Sequence, residues 1–170
     1  MMALSGLSVS FDTAQALRDV SLQVPQGTRL GIVGESGSGK SMLGLSMMGM
    51  VPEAARVSGR IMLDGTDLSG ASERLWRRHR ARRVAMIFQE PMAALNPLQR
   101  LGDTVMEPLQ VHLGLTRAAA RTRALELFDE VGIPDPPARL RQYPHEISGG
   151  QRQRVLIALA LSCDPALLIA

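Results

Sequence analysis

Apolar residues fall at every second position in two early stretches of the chain. Leu7, Val9 and Phe11 form one, and Val20, Leu22 and Val24 the other. This period of two predicts strands with one buried face. Pro25-Gln26-Gly27 marks a turn between elements. The unbroken run Leu30-Gly31-Ile32-Val33 then predicts a short strand buried on both faces. A helical segment carrying Leu43, Leu45, Met47 and Met48 follows. Ile61 and Leu63 predict a strand ending at the turn Asp64-Gly65, and Glu73 to Arg83 reads as a charged helix. Val84, Met86, Ile87 and Phe88 predict another buried strand, which stops at Gln89.

From Glu90 to Glu146 the period of two disappears. Val105, Met106, Leu109 and Leu113 are spaced for one helix; Leu125, Phe128 and Val131 are spaced for a second. Thr116 is placed to start the second helix and Gly132 to stop it, and Pro134, Pro136 and Pro137 then break the chain. Ser148 to Cys163 predicts a further helix. Its Ser148 and Gln151 stand three apart as a capping box, and Val155, Leu156, Ala158 and Leu159 form its apolar stripe. Asp164-Pro165 ends it, and Leu167-Leu168-Ile169 opens an apolar strand. An open sheet interrupted by helices, from about Pro91 to Ser148, predicts an α/β core with an inserted helical subdomain.

The chain has 170 residues, enough for one domain with a core. Aromatics make up 3%, so that core must be built from Leu, Val, Ile, Ala and Met. Lys plus Arg number 19 against 16 acids, a mild excess that does not by itself imply nucleic acid. Much of it lies in Arg74, Arg77, Arg78, Arg80, Arg82 and Arg83. That run is expected to be a solvated helix face anchored by Leu75 and Trp76, since no aromatic platform accompanies it. The lone Cys163 excludes an internal disulfide and is expected to be buried. His112 and His145 have no partners at metal-ligand spacing, and Met42, Met47, Met48 and Met50 read as adaptable core packing. Met1 to Phe11 lacks the basic flank and apolar block of a secretory signal, and the longest apolar run, Val155 to Leu161, is too short to span a bilayer. A membrane role is therefore expected to come through a partner.

Between the predicted strand at Leu30–Val33 and the helix after it lies Gly34-Glu35-Ser36-Gly37-Ser38-Gly39-Lys40-Ser41, a full match to G-x-x-x-x-G-K-S. Glycines let the backbone wrap so that successive N–H groups point at phosphate oxygens, and the helix start behind the loop adds a partial positive charge. Lys40 suits the β- and γ-phosphates, and the Ser41 hydroxyl is a hard oxygen ligand for Mg²⁺. A Gly/Ser-rich turn without function would match this pattern in roughly one chain of this length in a hundred. The strand before and the helix after reduce that further.

Two further segments carry a family resemblance. Ile147-Ser148-Gly149-Gly150-Gln151 resembles the signature sequence of ABC ATPases, with Ile where Leu is usual, and Gln89 after Met86-Ile87-Phe88 resembles their Q-loop. The order of P-loop, Q-loop and signature is that of the family, and the resemblance covers essentially the whole chain. Phe88-Gln89-Glu90-Pro91-Met92-Ala93-Ala94-Leu95-Asn96-Pro97, with Tyr143-Pro144-His145-Glu146, is similar to the ATPases of oligopeptide, dipeptide and nickel importers.

The resemblance implies a P-loop NTPase of ABC type. Residues 1–90 would form the nucleotide-binding core with its β subdomain, 91–148 the helical subdomain, and 149–170 the signature helix and the start of the Walker B strand. It implies ATP and Mg²⁺ as ligands, held by Gly34, Glu35, Ser36, Gly37, Ser38, Gly39, Lys40 and Ser41. Lys40 and Gln89 would serve catalysis, and Ser41 and Gln89 would contact the metal. Phe11 stands near where the family stacks an aromatic on adenine, and is equally readable as strand core. Ser148, Gly149, Gly150 and Gln151 would close on the γ-phosphate held by a second ABC ATPase subunit, identical or paralogous. Permease subunits, and through them a solute-binding protein, are the other implied partners, at the cytoplasmic face of the cell membrane. A non-transport ABC protein acting on nucleic acid or ribosomes is the alternative. In the family an Asp and then a Glu follow the Leu167–Ala170 strand. Neither stands in these residues, so they are expected to bind nucleotide without turnover.

Overall fold

A computed structural model of the chain describes residues 1–88 and 94–170. The chain divides into two compact units, 1–80 and 81–170.

The first unit is built on four antiparallel strands in the order β2-β1-β3-β4: β1 (Met2–Ser10), β2 (Gln15–Val24), β3 (Arg56–Leu63) and β4 (Thr66–Asp67). In β1, Met2, Leu4, Leu7 and Val9 are all buried, although Leu4 and Leu7 are three apart. A simple period of two would turn Leu7 outward. The pairing to both neighbours slips in this stretch, and Gly6 takes φ 60°, so a bulge returns Leu7 and Val9 to the inner face. Gly59 of β3 faces this bulge: a Cβ there would lie 2.4 Å from the Gly6 carbonyl oxygen. Two helices complete the unit, α1 (Lys40–Met47) and α2 (Glu73–His79). Leu43, Met47 and Met48 are buried, and the Trp76 ring fills the space where Gly49 has no side chain. Arg80 then donates to the carbonyls of Met48 and Gly49 at 2.8 and 2.6 Å, which ties the end of α2 to the end of α1.

The second unit pairs two parallel strands, β5 (Val84–Met86) and β6 (Leu167–Ile169), with Val84 opposite Leu167 and Met86 opposite Ile169. Its helices are α3 (Leu101–Leu113), α4 (Arg117–Glu130), α5 (Pro136–Arg139) and α6 (Gly149–Leu161), with a 3₁₀ turn at Pro144–Glu146. Leu101, Val105 and Leu109 of α3 pack with Ala120, Ala124, Leu127 and Phe128 of α4, and with Val155, Leu156 and Ala158 of α6. Small residues stand where backbones come close; a Cβ on Gly102 would lie 2.7 Å from the Leu140 carbonyl oxygen. The Thr116 side chain accepts from the Ala119 N–H at 3.2 Å, and Gly132, at φ 72°, ends the turn after α4, as the sequence predicts.

Several expectations need correction; Met50, read as core packing, is exposed. Leu30–Val33 belongs to neither sheet, and Leu30, Ile32 and Val33 are exposed. An apolar run becomes a strand only where neighbours satisfy its N–H and C=O groups, and no described strand pairs with this one. The charged helix ends at His79, not Arg83, because Arg80 leaves helical geometry at ψ 146° and the Ala81 N–H turns to the Val84 carbonyl. The strand after it is shorter than predicted, and Phe88 is exposed.

Candidate nucleotide-binding site

Glycine geometry shapes the loop from Gly34 to Ser41. Gly37 and Gly39 take φ 81° and 92°, a region other residues enter only with strain. A Cβ on Gly39 would also lie 2.5 Å from the Ala16 carbonyl oxygen and 2.9 Å from Leu17 Cδ2. The loop end is thus pressed onto β2, and only glycine fits between β2 and the first turn of α1. At the other end, a Cβ on Gly34 would lie 2.8 Å from Ser38 Oγ.

The Lys40 ammonium is folded back into the loop. It donates to the carbonyls of Gly34 and Glu35 at 2.7 and 2.6 Å and to Ser38 Oγ at 3.2 Å. This places a full positive charge in the middle of the ring of loop residues. The start of α1 carries no side-chain cap and no acid in its first turn, and its first backbone bond runs from the Leu43 N–H to the Gly39 carbonyl at 2.8 Å. The first-turn amides of Lys40, Ser41 and Met42 have no intrahelical acceptor and are placed to meet an anion, whereas the Ser38 N–H is already given to the Glu35 carbonyl at 3.2 Å. Ser41 is exposed in that first turn. No group of three or more His, Cys, Asp or Glu among the described residues could hold a metal. A Mg²⁺ here would take oxygens from the phosphates and Ser41, in keeping with its habit of using few protein ligands.

Phe11 does not extend β1. It lies one residue past the Ser10–Gln15 pair, in a turn closed by its own N–H to the Ala14 carbonyl at 2.7 Å, and it is half-buried. Next to this turn come Ala16 and Leu17, the residues that touch Gly39. The aromatic is therefore carried on the hairpin that supports the P-loop. Nothing in the sequence marked Ala16 and Leu17 as supports, since their role is steric and backbone-borne. Asp12 and Arg56 form an exposed ion pair at 3.3 Å beside the same turn.

In the second unit, Ser148 caps α6. Its Oγ accepts from the Gln151 N–H at 3.3 Å, and Gln151 Oε1 accepts from the Ser148 N–H at 3.2 Å, the predicted reciprocal box. Gly149 and Gly150 are exposed, and a Cβ on either would meet nothing within 4 Å. No acid lies in the first turn. The chain entering this helix is held as well: Arg152 Nε donates to the Pro144 carbonyl at 2.6 Å, and Glu146 accepts from the Tyr143 N–H at 2.6 Å. Gln89 lies outside the described residues.

A family profile described as ABC transporter matches residues 17–170, from the strand beneath the P-loop through the capped helix to β6. The chain belongs to the ABC transporter family. Among curated relatives, it is 43% identical over 174 residues to an oligopeptide transport ATP-binding protein of Mycobacterium tuberculosis, covering 99% of this chain and 28% of the relative. It is 46% identical over 176 residues to a dipeptide transport ATP-binding protein of Bacillus subtilis, covering 100% and 52%. It is 47% identical over 157 residues to one of Escherichia coli, covering 92% and 48%. The chain spans about half the length of the two dipeptide relatives and less of the oligopeptide one. Among solved structures, a dimeric ATP-binding cassette in a post-hydrolysis state with ADP and Pi matches with a TM-score of 0.86 at 27% identity, over 99% of this chain and 72% of that one. A second dimeric ABC transporter cassette matches with a TM-score of 0.85 at the same identity. The fold is that of an ABC ATPase cassette. No described helix is long and apolar enough to cross a membrane.

Proposed function

We propose that Gly34–Ser41 binds Mg²⁺–ATP and that the protein carrying these residues hydrolyses it to power an importer of peptides or similar small solutes. The ammonium of Lys40 set inside a glycine-rich loop, at an uncapped and acid-free helix start, carries this reading. The identity to oligopeptide and dipeptide transport ATP-binding proteins supports the solute class. Gly34 to Gly39 wrap the phosphates, Lys40 neutralises their charge, and Ser41 with Gln89 meets the metal. Phe11 stacks on the base. Ser148, Gly149, Gly150 and Gln151 act on the nucleotide of a second subunit. In this reading residues 1–90 are the nucleotide-binding core, 91–148 the helical subdomain and 149–170 the signature helix with the start of a strand. The partners are a second such subunit and the permease subunits, at the cytoplasmic face of the membrane.

A role on nucleic acid finds less support. Within the basic run, Arg77 and Arg80 are both paired to Glu73, at 3.0 and 2.7 Å, and Trp76 is buried and offers no stacking surface. A second proposal concerns these 170 residues taken alone: they bind nucleotide without turnover, because they supply no carboxylate after Leu167–Ile169 to orient the attacking water.

Uptake of labelled di- and oligopeptides into vesicles holding the full transporter tests the main reading. Uptake should require ATP and fail with Lys40→Ala. Uptake that persists in that variant would overturn it. Phosphate release by the 170-residue stretch should equal that of its own Lys40→Ala control. Lys40-dependent release would refute the second proposal.

A further inference from the structure

We propose that Arg154 is a positioning residue for the phosphate-facing start of α6: its bond to the end of α4 sets the direction in which the free amides of Gly149 and Gly150 point. This rests on the proposal that Ser148–Gln151 acts on the nucleotide of a second subunit.

Arg154 lies one and a half turns into α6, on the exposed side of the helix. Its Nη1 donates to the Val131 carbonyl at 2.8 Å and to the Gly132 carbonyl at 2.6 Å. These carbonyls belong to the turn after α4, where the helix leaves acceptors without intrahelical partners and its dipole favours a cation. The fit is tight, since a Cβ on Gly132 would lie 2.4 Å from Nη1. On its inner side α6 is fixed by Val155, Leu156 and Ala158 in the core of this unit. An apolar stripe resists separation of two helices, but it resists rotation of one about its own axis less well, because apolar contacts are not directional. A charge-assisted hydrogen bond is directional. Among the described residues, Arg154 links the first two turns of α6 to the end of α4, and Arg152, bonded to the Pro144 carbonyl, links the same turns to the incoming chain. Together they leave the helix start little freedom to swing. Amides aimed at one phosphate lose its oxygens with a displacement of about an ångström.

Both contacts of Arg154 come from a single nitrogen. The planar fork that distinguishes arginine is not used here, so an ammonium on a slightly shorter stem can replace it. Lysine should therefore restore what methionine removes.

The test uses the full-length protein. Arg154→Met should bind ATP within about twofold of the parent by calorimetry, because the P-loop is untouched, and should unfold within a few degrees of it. It should need roughly tenfold more ATP to form the dimer by light scattering. Arg154→Lys should recover most of that loss. Ser148→Arg is the control for the underlying reading: if it dimerises normally with ATP, the action of α6 on a second subunit is wrong. If Ser148→Arg blocks the dimer but Arg154→Met forms it like the parent, the positioning role alone is overturned. Arg154→Met that loses ATP affinity and thermal stability together, with no rescue by lysine, would make Arg154 a general folding residue and would also overturn the proposal.

Discussion

Replacing Lys40 by alanine gives a sharp test of the P-loop, and the structure sets its expected size. The ammonium now makes three hydrogen bonds, to the carbonyls of Gly34 and Glu35 and to Ser38 Oγ. All its donors are engaged with the loop itself. A triphosphate entering the loop must take over at least part of this bonding, so Lys40 exchanges neutral acceptors for anionic oxygens and does not gain contacts from nothing. Hydrogen bonds to a charged group contribute about 1.5–3 kcal/mol. The bonds released on binding place the expected loss at the lower end of that range. At about 1.4 kcal/mol per decade, Lys40→Ala should weaken ATP binding roughly ten- to thirtyfold.

The same substitution removes exposed bonds from a surface loop, so it should change the stability of the fold by no more than about 0.5 kcal/mol. Affinity and stability therefore separate, which a general folding defect would not allow. Calorimetric titration with a non-hydrolysable ATP analogue in Mg²⁺ measures the first, and thermal unfolding without nucleotide the second. The parent's affinity should also fall as salt is raised, and Lys40→Ala should show a shallower fall, since one screened charge is gone. Equal affinity of parent and variant would refute the role given to Lys40.

Other outcomes follow from particular contacts. Gly39→Ala would force a Cβ to 2.5 Å from the Ala16 carbonyl oxygen at φ 92°, so it should cost about 1–3 kcal/mol in stability and abolish nucleotide binding; a variant that unfolds and binds like the parent would show that the loop end is not held against β2. Gln89→Ala in the full-length protein should reduce transport more than ATP affinity, measured by vesicle uptake and calorimetry; abolished binding would move Gln89 into the pocket. Burial pushes the Cys163 thiol up, with a weak bond from Ser162 and the charge of Arg82 opposing it. At pH 8 it is therefore held as the unreactive thiol, and alkylation by iodoacetamide should be slow in the native protein and rise only at higher pH than for an exposed cysteine. Rapid labelling of the folded protein at pH 8 would contradict this.

The elements that sequence revealed are those whose signals are local. The capping box at Ser148 and Gln151, the Thr116 cap and the Gly132 stop each depend on residues within a few positions, and the structure reproduces all three. The helical stretch was legible for the same reason, apart from Leu113, which has the right spacing but is exposed at the helix end. Signals that depend on distant partners were not legible. Leu30–Val33 has a strand's composition, but composition does not say what pairs with it. The charged helix is cut short by the bonds of Arg80 to Met48 and Gly49, more than thirty positions earlier. The slip in β1 hides behind an apparent alternation of Leu7, Val9 and Phe11, and only its pairing reveals the bulge at Gly6. In the candidate site, the P-loop was readable as a motif, whereas its support by Ala16 and Leu17 was not, because a missing Cβ and a backbone oxygen leave no pattern.

The two helix starts proposed to face phosphate differ from those of α2 and α3, although α4 and α5 likewise carry no acid in their first turns. Acids in a first turn favour the positive end of a helix, and Glu73 in α2 and Asp103 in α3 occupy that place. In α1 and α6 it holds none, so no acid of their own opposes an external anion there. They differ in how far their own side chains satisfy them. The start of α1 has no cap, and a lysine supplies a full charge to the same loop. The start of α6 spends one amide on Ser148 and carries no lysine, and Gly149 and Gly150 there are exposed. The first arrangement suits tight retention of a highly charged ligand, and the second a weaker contact that forms and breaks with it. In the proposed reading, a strong site at α1 and a weaker one at α6 of a second subunit would suit a cycle in which one nucleotide is held while the partner subunit is released. Adding a charge to the weak side, as Ser148→Arg does, should therefore disturb the cycle through the dimer and leave the P-loop's own affinity unchanged.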